Sequence, residues 1–491
     1  MSLTRVKGST FQSDENNLWA NVRDFGAVAD GSTDDAPAIQ AAIDSLTNGG
    51  TVFLPKGTYA LASGTGIAAL QMRSGIHLRG GGIAATNLAL ANATDLHIVN
   101  IVNDNDWGVS EMTLDGNGAN QTSSVNGIRI GTTARGFVRN VEIKKPRQHG
   151  IDLVTGTNTD LIFDCILMQE IGANGINVLN VNDNSVRNII NNVLIKSFGD
   201  VTSASAGLDI RGPWEISNVR VEGIDGNESG IRLRDGELGA PNGLGAHNTN
   251  LSNFSMIAST PGSCRGLNIL ARDCAISNGY IFGCQLGINV KDNRNRLVNI
   301  RLDSCDPLGI RVETTASPGG DLVDTLITNC VFDSNTAEGL EIRGDRTIVN
   351  SCDFINNTTR GIEVQAAASD SLIVNSNFFG NGVAVLDNGV NTHARNNNGW
   401  KTEAFIAGAA LAWDSTGLKT QTIAHGLDVT PTIDQCRISK VKLSGNNDGA
   451  FDWTMVSAVD ATNVTADSIV GTANSAGGAQ FQHVVSINAR P

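Results

Sequence analysis

The sequence predicts an all-β solenoid, in which short strands stack turn upon turn. A unit of glycine, apolar, polar and apolar residues recurs along the chain, and Gly207-Leu208-Asp209-Ile210 and Gly230-Ile231-Arg232-Leu233 are two clear copies. Such alternation is typical of a strand with one buried face. Composition agrees, because 55 glycines and only 10 prolines among 491 residues favour frequent turns. Further copies begin at Gly127, Gly150, Gly175, Gly266, Gly287, Gly309, Gly339 and Gly361.

The spacing of the repeat defines the length of one turn. From Gly127 onward, successive glycines are separated by 23, 25, 32, 23, 36, 21, 22, 30 and 22 residues. A basal turn therefore has 22 residues or slightly more, and an internal repeat of this length is typical of stacked architectures. The two longest intervals, before Gly207 and after Gly230, predict insertions on either side of these two turns.

The chain divides into three predicted regions. Residues 1–20 are polar and unpatterned, and we expect an N-terminal arm there. The solenoid is predicted to span residues 21–398, and residues 399–491 are predicted to form a separate β domain resembling a sandwich, since longer alternating segments such as Ile438 to Leu443 replace the repeat. This C-terminal domain is expected to serve trimerisation or carbohydrate binding.

A short helix is predicted ahead of the repeat. Ile39 and Ile43 lie four residues apart between Ala36 and Asp44, which is the spacing of one helix face. Thr51 to Tyr59 is then predicted to be a strand and turn. Because the first turn of a solenoid exposes an apolar end, the helix is expected to cap it.

A second strand of each turn is predicted to begin at an asparagine. Asparagines at the same corner of successive turns can hydrogen-bond along the stack, so their predicted role is structural. The set is Asn140, Asn192, Asn218, Asn253, Asn278, Asn299, Asn329 and Asn375.

The segment from Asn21 to Asp35 carries a resemblance to a known family. It reads N-V-R-D-F-G-A-V-A-D-G-S-T-D-D and matches every fixed position of N-V-x-D-F-G-A-x-x-D-G-x-x-D-D. That pattern resembles the N-terminal signature of right-handed parallel β-helix proteins, which include phage tailspikes and pectate-lyase-like enzymes. The resemblance implies a right-handed parallel β-helix that recognises and cleaves a polysaccharide.

The short arm, with no apolar signal segment, is more similar to a tailspike than to a secreted enzyme. The resemblance therefore implies a homotrimer on a virion tail, synthesised in a host cytosol and attached through its arm to other tail proteins. The formal net charge of -14 makes nucleic acid an improbable partner, and no apolar run is long enough to insert into a membrane. The eight cysteines are expected to be free, buried thiols.

The polar position of the repeat is where chemistry is expected. We interpret these positions as an outward-facing column, and Asp152, Asp209 and Arg232 belong to it. A neighbouring column two residues further on carries Arg211 and Arg234. The turns at Gly207 and Gly230 are the first in which both columns are charged, and we therefore predict a groove there.

The two insertions are expected to form the walls of this groove. The second insertion carries Asp235, Glu237 and His247, while Trp214 follows Arg211 closely and is predicted to offer a flat face to a sugar ring. His149 lies in the turn before the repeat copy at Gly150. The alternative interpretation is a solvated surface on which Asp209 and Arg232 only form a cross-strand ion pair.

Two reaction types remain open for the groove. Hydrolysis with inversion needs two carboxyl groups, for which Asp152 and Asp209 are candidates, and Asp235 or Glu237 is a further candidate. β-Elimination needs a cation for a uronate carboxylate and a base for the adjacent proton. Arg211, Arg232 and Arg234 are candidates for the first role, and His149, His247 or an arginine for the second. No cofactor or metal is predicted, unless a lyase mechanism requires calcium.

A rival site and rival functions are also considered. The column from Arg311 to Glu363, with Glu313, Glu341 and Arg343, is charged on both positions but lacks a tryptophan. The competing functions are a non-catalytic glycan-binding adhesin and a tail-fibre segment. The clustered arginines favour an acidic glycan as the ligand.

Overall fold

The computed structural model describes residues 18–400 except 155, 180–187, 200–204, 235–247 and 314–323, and beyond residue 400 it describes backbone strands between residues 403 and 488. Residue contacts divide the chain into two compact units, Met1–Ile288 and Asn289–Pro491. The predicted fold class is confirmed, since both units contain stacked parallel strands and the described residues hold a single α-helix. The predicted boundaries at residues 20 and 398 stay a prediction.

The repeat copies of the first unit form one parallel sheet, which we call the repeat sheet. Each copy pairs with the next in the predicted register, as when Leu208 lies beside Ile231 and Asp209 beside Arg232. The strands are Ala68–Gln71, His97–Ile101, Ile128–Ile130, Ile151–Leu153, Ile176–Val178, Ala206–Arg211, Ser229–Arg234 and Arg265–Leu270, and Leu286–Val290 is the copy at the unit boundary.

The remaining strands of the first unit form the flanking sheet. They are Trp19–Asn21, Asp30–Asp34, Gly50–Leu54, Gly57–Leu61, Ile76–Gly80, Thr86–Leu90, Gly108–Asp115, Phe137–Lys144, Ile162–Ile171, Asn188–Phe198, Trp214–Ile224, Asn250–Ala258 and Ala275–Phe282. Two short strands, Thr133–Ala134 and Asn158–Thr159, pair with each other. Trp19 and Ala20 pair with Thr51 and Val52.

The repeat glycine is required by close packing between turns. A Cβ atom on Gly207 would lie 2.7 Å from the carbonyl oxygen of Gly230 and 2.8 Å from a methyl group of Val221. Both distances are shorter than atomic contact allows, so any larger residue would push neighbouring turns apart. The aliphatic residues that follow the glycine, such as Leu208 and Ile210, are fully buried.

The predicted asparagine corners are confirmed. Asn140, Asn192 and Asn218 have φ values of 52°, 52° and 54°, in the left-handed region that asparagine tolerates better than most residues. Each lies inside a long strand of the flanking sheet and bends it. The predicted ladder is partial: Asn278 donates to Asn253 at 3.2 Å, whereas Asn140 donates instead to Glu111 at 2.6 Å.

The cap contains the predicted helix, observed at Ala36–Ser45, and two 3₁₀ turns occur at Val22–Phe25 and Gly118–Asn120. Asp35, which precedes the helix, is buried and accepts backbone N–H bonds from Val28 at 2.6 Å and Ala29 at 2.9 Å. Asp34 accepts the backbone N–H of Ala62 at 2.9 Å. The paired aspartates of the signature segment therefore fix the turn around the helix start.

The second unit begins with further parallel strands. Those of the glycine repeat are Leu308–Val312, Glu338–Ile342, Arg360–Val364 and Val383–Asp387. The others are Arg296–Asp303, Leu326–Thr328, Val331–Asp333, Ile348–Asn350, Asp353–Ile355, Leu372–Val374, Asn377–Phe379 and His393–Arg395. Its core contains a stack of Phe332, Phe354 and Phe378, with ring centroids 4.5 Å and 5.0 Å apart.

The strands described beyond residue 402 pair in antiparallel fashion. These strands are Glu403–Ala407, Leu411–Ala412, Gly417–Ala424, Cys436–Ser444, Phe451–Val459, Asn463–Val470 and Gln480–Asn488. All eight cysteines of the chain are free, as predicted, but Cys165 is exposed rather than buried. No helix among the described residues is both long and apolar enough to cross a membrane.

Candidate active site

The predicted polar column exists on the repeat sheet. The strand register places Arg129 beside Asp152, Asp152 beside Asn177, Asn177 beside Asp209, and Asp209 beside Arg232. Asp152 and Asp209 are thus two strand spacings apart, or about 9.6 Å. Every residue of this column belongs to the first unit.

The expectation that this column is wet is wrong for its central members. Asp152 and Asp209 are each 6% exposed and Arg232 is 7% exposed. The reason is that polar side chains of adjacent turns cover one another as they stack. Burial makes unpaired charges costly, so the interactions made by each side chain decide what the site can do.

Asp152 is held by two asparagine amides. The Nδ2 group of Asn126 donates to one carboxylate oxygen at 2.8 Å, and the Nδ2 group of Asn177 donates to the other at 2.8 Å. Asn177 is itself oriented by a 2.9 Å hydrogen bond from Asn174. The orientation of the carboxylate is therefore fixed from two neighbouring turns.

His149 belongs to an edge column that precedes the repeat glycines. His97, Asn126, His149 and Asn174 follow one another along this column, and each accepts a backbone N–H from the residue one turn later. Asn126 donates to His97 Nδ1 at 3.0 Å, His149 to Asn126 Oδ1 at 3.0 Å, Asn174 to His149 Nδ1 at 3.1 Å, and Ala206 to Asn174 Oδ1 at 2.8 Å. We call this arrangement the edge ladder.

The edge ladder sets the tautomer of His149. Because Nδ1 accepts a hydrogen bond, the proton of the neutral ring is assigned to Nε2. Burial lowers the pKa of His149, and the negative charges of Asp152 and Asp209 oppose that effect without reversing it. The pKa of His97 is lowered in the same way by burial and by Arg129. His149 is therefore a neutral hydrogen-bond donor near neutral pH, positioned close to two carboxylates.

Asp209 is contacted by Arg232 and Arg234, and the charges of Arg211 and Arg265 act on Arg232; we call these four residues the arginine cluster. Arg232 donates to Asp209 Oδ2 at 3.3 Å, and Arg234 Nε lies 2.8 Å from Asp209 Oδ1. Burial lowers the pKa of Arg232, and the negative charge of Asp209 opposes this lowering. The positive charges of Arg234, Arg265 and Arg211 lower the pKa further. Positive charge is therefore in excess around this carboxylate.

Trp214 does not provide the predicted sugar-stacking face. Its side chain is 2% exposed, packs 5.7 Å from Phe163 between ring centroids, and donates from Nε1 to the carbonyl of Arg211 at 3.3 Å. The physical reason is the tight turn at Gly212-Pro213, after which the next strand starts inside the core. Trp214 is thus a core residue of the first unit.

The other predicted positions divide into two groups. Arg211 and Arg234 are partly exposed beside the column, and Arg211 donates to the carbonyl of Leu179 at 2.8 Å. Asp235, Glu237 and His247, predicted on the second insertion, lie outside the described residues. The structure thus brings together His149, Asp152, Asp209 and the arginines of the predicted site.

The rival column lies in the second unit and its charges are balanced. Glu341 accepts hydrogen bonds from Arg311 at 2.6 Å and Arg343 at 2.8 Å, and Arg360 bonds Glu338 at 2.7 Å and Glu363 at 3.1 Å. Burial would raise the pKa of Glu341, but the two arginine hydrogen bonds outweigh it and lower the pKa. Paired charges of this kind are typical of a structural network.

Sequence reasoning missed His97, Asn126 and Asn174. The signal was present, because Asn126, His149 and Asn174 all stand immediately before a repeat glycine. Their shared position in the repeat, rather than their residue type, shows that they form one column.

The described residues thus form a solenoid of stacked parallel strands with a buried polar column on its repeat sheet. A family described as "Rhamnogalacturonase A/epimerase, pectate lyase-like" matches residues 19–232, and "Right handed beta helix region" matches residues 205–378 and 286–450. The chain belongs to the right-handed β-helix family, and its residues 19–232 are similar to pectate-lyase-like proteins.

Two relatives come from Azotobacter vinelandii. Mannuronan C5-epimerase AlgE1 is 36% identical over 149 residues, which is 27% of this chain and 11% of that protein. Alginate lyase 7 is 35% identical over 149 residues, 27% of this chain and 17% of that protein. The chain thus spans only a small part of these relatives.

A solved structure shares the fold over most of the chain. The tailspike protein of E. coli bacteriophage HK620, in complex with a pentasaccharide, has a TM-score of 0.53 and 11% sequence identity. The similarity covers 96% of this chain and 94% of that one. At this level of identity the comparison concerns architecture alone.

Proposed function

We propose that this chain is an enzyme that acts on an acidic polysaccharide by removing the proton beside a uronate carboxylate, the chemistry of β-elimination and C5 epimerisation. The observation that carries the proposal is the arginine cluster. Two guanidinium groups contact the carboxylate of Asp209, and two more act electrostatically on Arg232, in a chain whose formal net charge is -14. A local excess of positive charge in an acidic protein favours an anionic ligand.

The arginine cluster would bind the uronate carboxylate. Arg234 keeps 32% of its side chain exposed, whereas Arg232 keeps only 9%. Arg234 and Arg211 are therefore the groups that a substrate can reach, with forked donors suited to a carboxylate. Neutralising that carboxylate makes the adjacent C5 proton easier to remove, because charge develops there in the transition state.

Asp152 and His149 would move the protons. Asp152, fixed by Asn126 and Asn177, is the proposed base for the C5 proton. His149 would donate a hydrogen bond from Nε2 to the glycosidic oxygen as the C4–O bond breaks, and the departing oxygen would take up a proton from water. If that bond stays intact and a proton returns from the other face, the same arrangement gives epimerisation.

Hydrolysis, the other open reaction, is less well supported. An inverting hydrolase needs one carboxyl group to present its own proton. Both oxygens of Asp152 accept amide hydrogen bonds, and both oxygens of Asp209 contact guanidinium groups. Neither carboxyl group therefore presents a hydroxyl to a sugar.

A calcium-assisted lyase is also not supported by the residues present. Among the described residues, no three His, Cys, Asp or Glu side chains converge to hold a metal ion. Of the nearest carboxylates, Asp152 accepts hydrogen bonds from two asparagine amides, and Asp209 contacts two guanidinium groups. No step of the proposed reaction is derived through a metal.

The test separates elimination, epimerisation, hydrolysis and binding alone. Purified protein is incubated in D₂O with mannuronate, guluronate or galacturonate polymers, and absorbance at 235 nm, C5 deuterium and reducing ends are measured. Unsaturated ends or C5 deuterium support the proposal, and both should be lost in Asp152→Asn and Arg234→Gln.

Arg139→Gln serves as the matched control, since Arg139 is an exposed arginine of the flanking sheet. Reducing ends without unsaturation would identify a hydrolase. Binding without any of these products would favour the adhesin function and overturn the proposed reaction.

A tailspike organisation is proposed separately, with a homotrimer attached to a virion tail through residues 1–20. The architecture shared with a phage tailspike supports it. Light scattering after size exclusion should give three times the chain mass of 51.4 kDa. A monomeric mass would contradict this organisation without affecting the proposed chemistry.

A further inference from the structure

A pocket of about 440 Å³ lies in the first unit, directly after three neighbouring strands of the flanking sheet. The strands are Gly108–Asp115, Phe137–Lys144 and Ile162–Ile171, and the turn that follows each contributes one layer of the wall. The volume falls within the range of small-ligand sites. The lining comprises Asn117 to Asn120, Lys145 to Arg147, Glu170 and Gly172.

Backbone packing defines the shape of this pocket. A Cβ atom on Gly172 would lie 2.1 Å from the carbonyl oxygen of Arg147, and one on Gly118 would lie 2.8 Å from that of Lys145. Both glycines also hydrogen-bond across the turns, Gly118 to Lys145 at 2.8 Å and Gly172 to Pro146 at 3.0 Å. The pocket is therefore built on a rigid peptide framework rather than on mobile side chains.

The lining offers both donors and small apolar surfaces. Arg147 has no hydrogen-bond or ion-pair partner among the described residues, so its guanidinium group is available to a ligand. Lys145 lies 3.8 Å from Glu170, the acidic residue of the lining, and both are about half exposed. Pro146 and Ala119 supply apolar surface, which suits the C–H face of a sugar ring.

The pocket lies close in sequence to the proposed active site. Arg147 precedes His149 by two residues, and Gln148 between them is fixed by backbone hydrogen bonds to Val125 and Ala173 at 2.9 Å and 2.7 Å. We infer that this pocket is a subsite for one acidic sugar residue of the polysaccharide, next to the residue that reacts at His149. The inference rests on the proposed function for the identity of the sugar.

The test measures binding, so that it does not depend on turnover. Mannuronate, guluronate and galacturonate oligosaccharides of increasing length are titrated calorimetrically into the full chain carrying Asp152→Asn. Ala119→Trp fills the pocket from an exposed position, and Ala366→Trp, at an exposed turn of the second unit, is the matched control. Arg147→Gln removes the available cation while keeping the length of the side chain similar.

The expected result is that at least one oligouronate series gains affinity with length. The longer oligosaccharide should bind about tenfold more tightly than the shorter one, which corresponds to about 1.4 kcal/mol of binding free energy. Ala119→Trp and Arg147→Gln should each abolish this increase in affinity, whereas Ala366→Trp should retain it. Equal binding by all variants, or no binding of any oligouronate, would overturn the subsite. Binding with the expected variant effects but no turnover would refute only the proposed reaction.

Discussion

Asn126→Asp is the substitution that most directly tests the arrangement around Asp152. Asn126 is 1% exposed, donates to Asp152 at 2.8 Å and accepts the backbone N–H of His149 at 3.0 Å. The aspartate keeps the acceptor for His149 but places a second carboxylate against the first. Two carboxylates at this distance cannot both ionise without strong repulsion.

The size of the effect depends on pH. Two unit charges 2.8 Å apart repel by about 6 kcal/mol at an effective dielectric constant of 20. Keeping one of the two carboxyl groups protonated instead costs about 1.4 kcal/mol for each pH unit above the ordinary aspartate pKa of about 3.9. Sharing a proton is therefore the smaller cost up to neutral pH. The free energy of unfolding should fall by about 1.5 kcal/mol at pH 5 and about 4 kcal/mol at pH 7.

The sign follows from proton binding. The folded variant holds a proton that the unfolded chain releases above pH 3.9, so stability is highest in acid and is lost as pH rises toward the raised pKa of the folded pair. Urea unfolding at pH 5 and pH 7 measures this difference. Hydrogen exchange of the peptide spanning residues 145–153 reports locally on the His149 amide.

Asn126→Ala is the control, because it cannot ionise. Loss of the hydrogen bond to Asp152 and of the acceptor for His149 should cost about 3 kcal/mol at both pH values. A loss for Asn126→Asp that is equal at pH 5 and pH 7, or absent at both, would refute the geometry assigned to Asp152.

Three further predictions follow from other features. Arg234→Gln should weaken binding of an oligouronate at least tenfold and reduce the salt dependence of binding measured by calorimetry, whereas unchanged binding would remove this arginine from the site. Because burial lowers the pKa of His149, activity that needs the neutral ring should be constant above pH 6.5 and fall only in more acidic solution; a descending acid limb with its midpoint above pH 6.5 would contradict this. Phe354→Ala, in the stacked phenylalanines of the second unit, should lower the free energy of unfolding by about 3 to 5 kcal/mol, and a loss below 1 kcal/mol in urea unfolding would show that the stack is not a packed core.

The fold was predictable because its determinants are local and repeated. Gly207 and its equivalents are followed by residues that alternate between the core and the outer face, so the strand register can be read from the sequence alone. The corner asparagines, such as Asn192, carry an equally local signal, because few residues tolerate a positive φ. In each case the same steric requirement recurs once per turn.

The site was only partly predictable because its environment depends on neighbouring turns. The column containing Asp152 and Asp209 was found, but its burial was not, since burial comes from the side chains stacked above and below. Trp214 was misplaced because the sequence Gly212-Pro213 predicts a turn without showing that the following residue enters the core. The partners of His149 were missed for the same reason: its hydrogen bonds connect residues 23 and 25 positions away in the chain.

The edge ladder has a consequence for how such a protein can change. At each step the backbone N–H of one turn requires an acceptor on the turn before, and asparagine Oδ1 and histidine Nδ1 both meet that requirement in this chain. Histidine and asparagine therefore supply an equivalent acceptor at these steps, although only histidine carries an imidazole. A pair of exchanges between neighbouring steps could move the reactive ring one turn along the axis while preserving the scaffold, so that evolution or design can reposition the chemistry without rebuilding the solenoid.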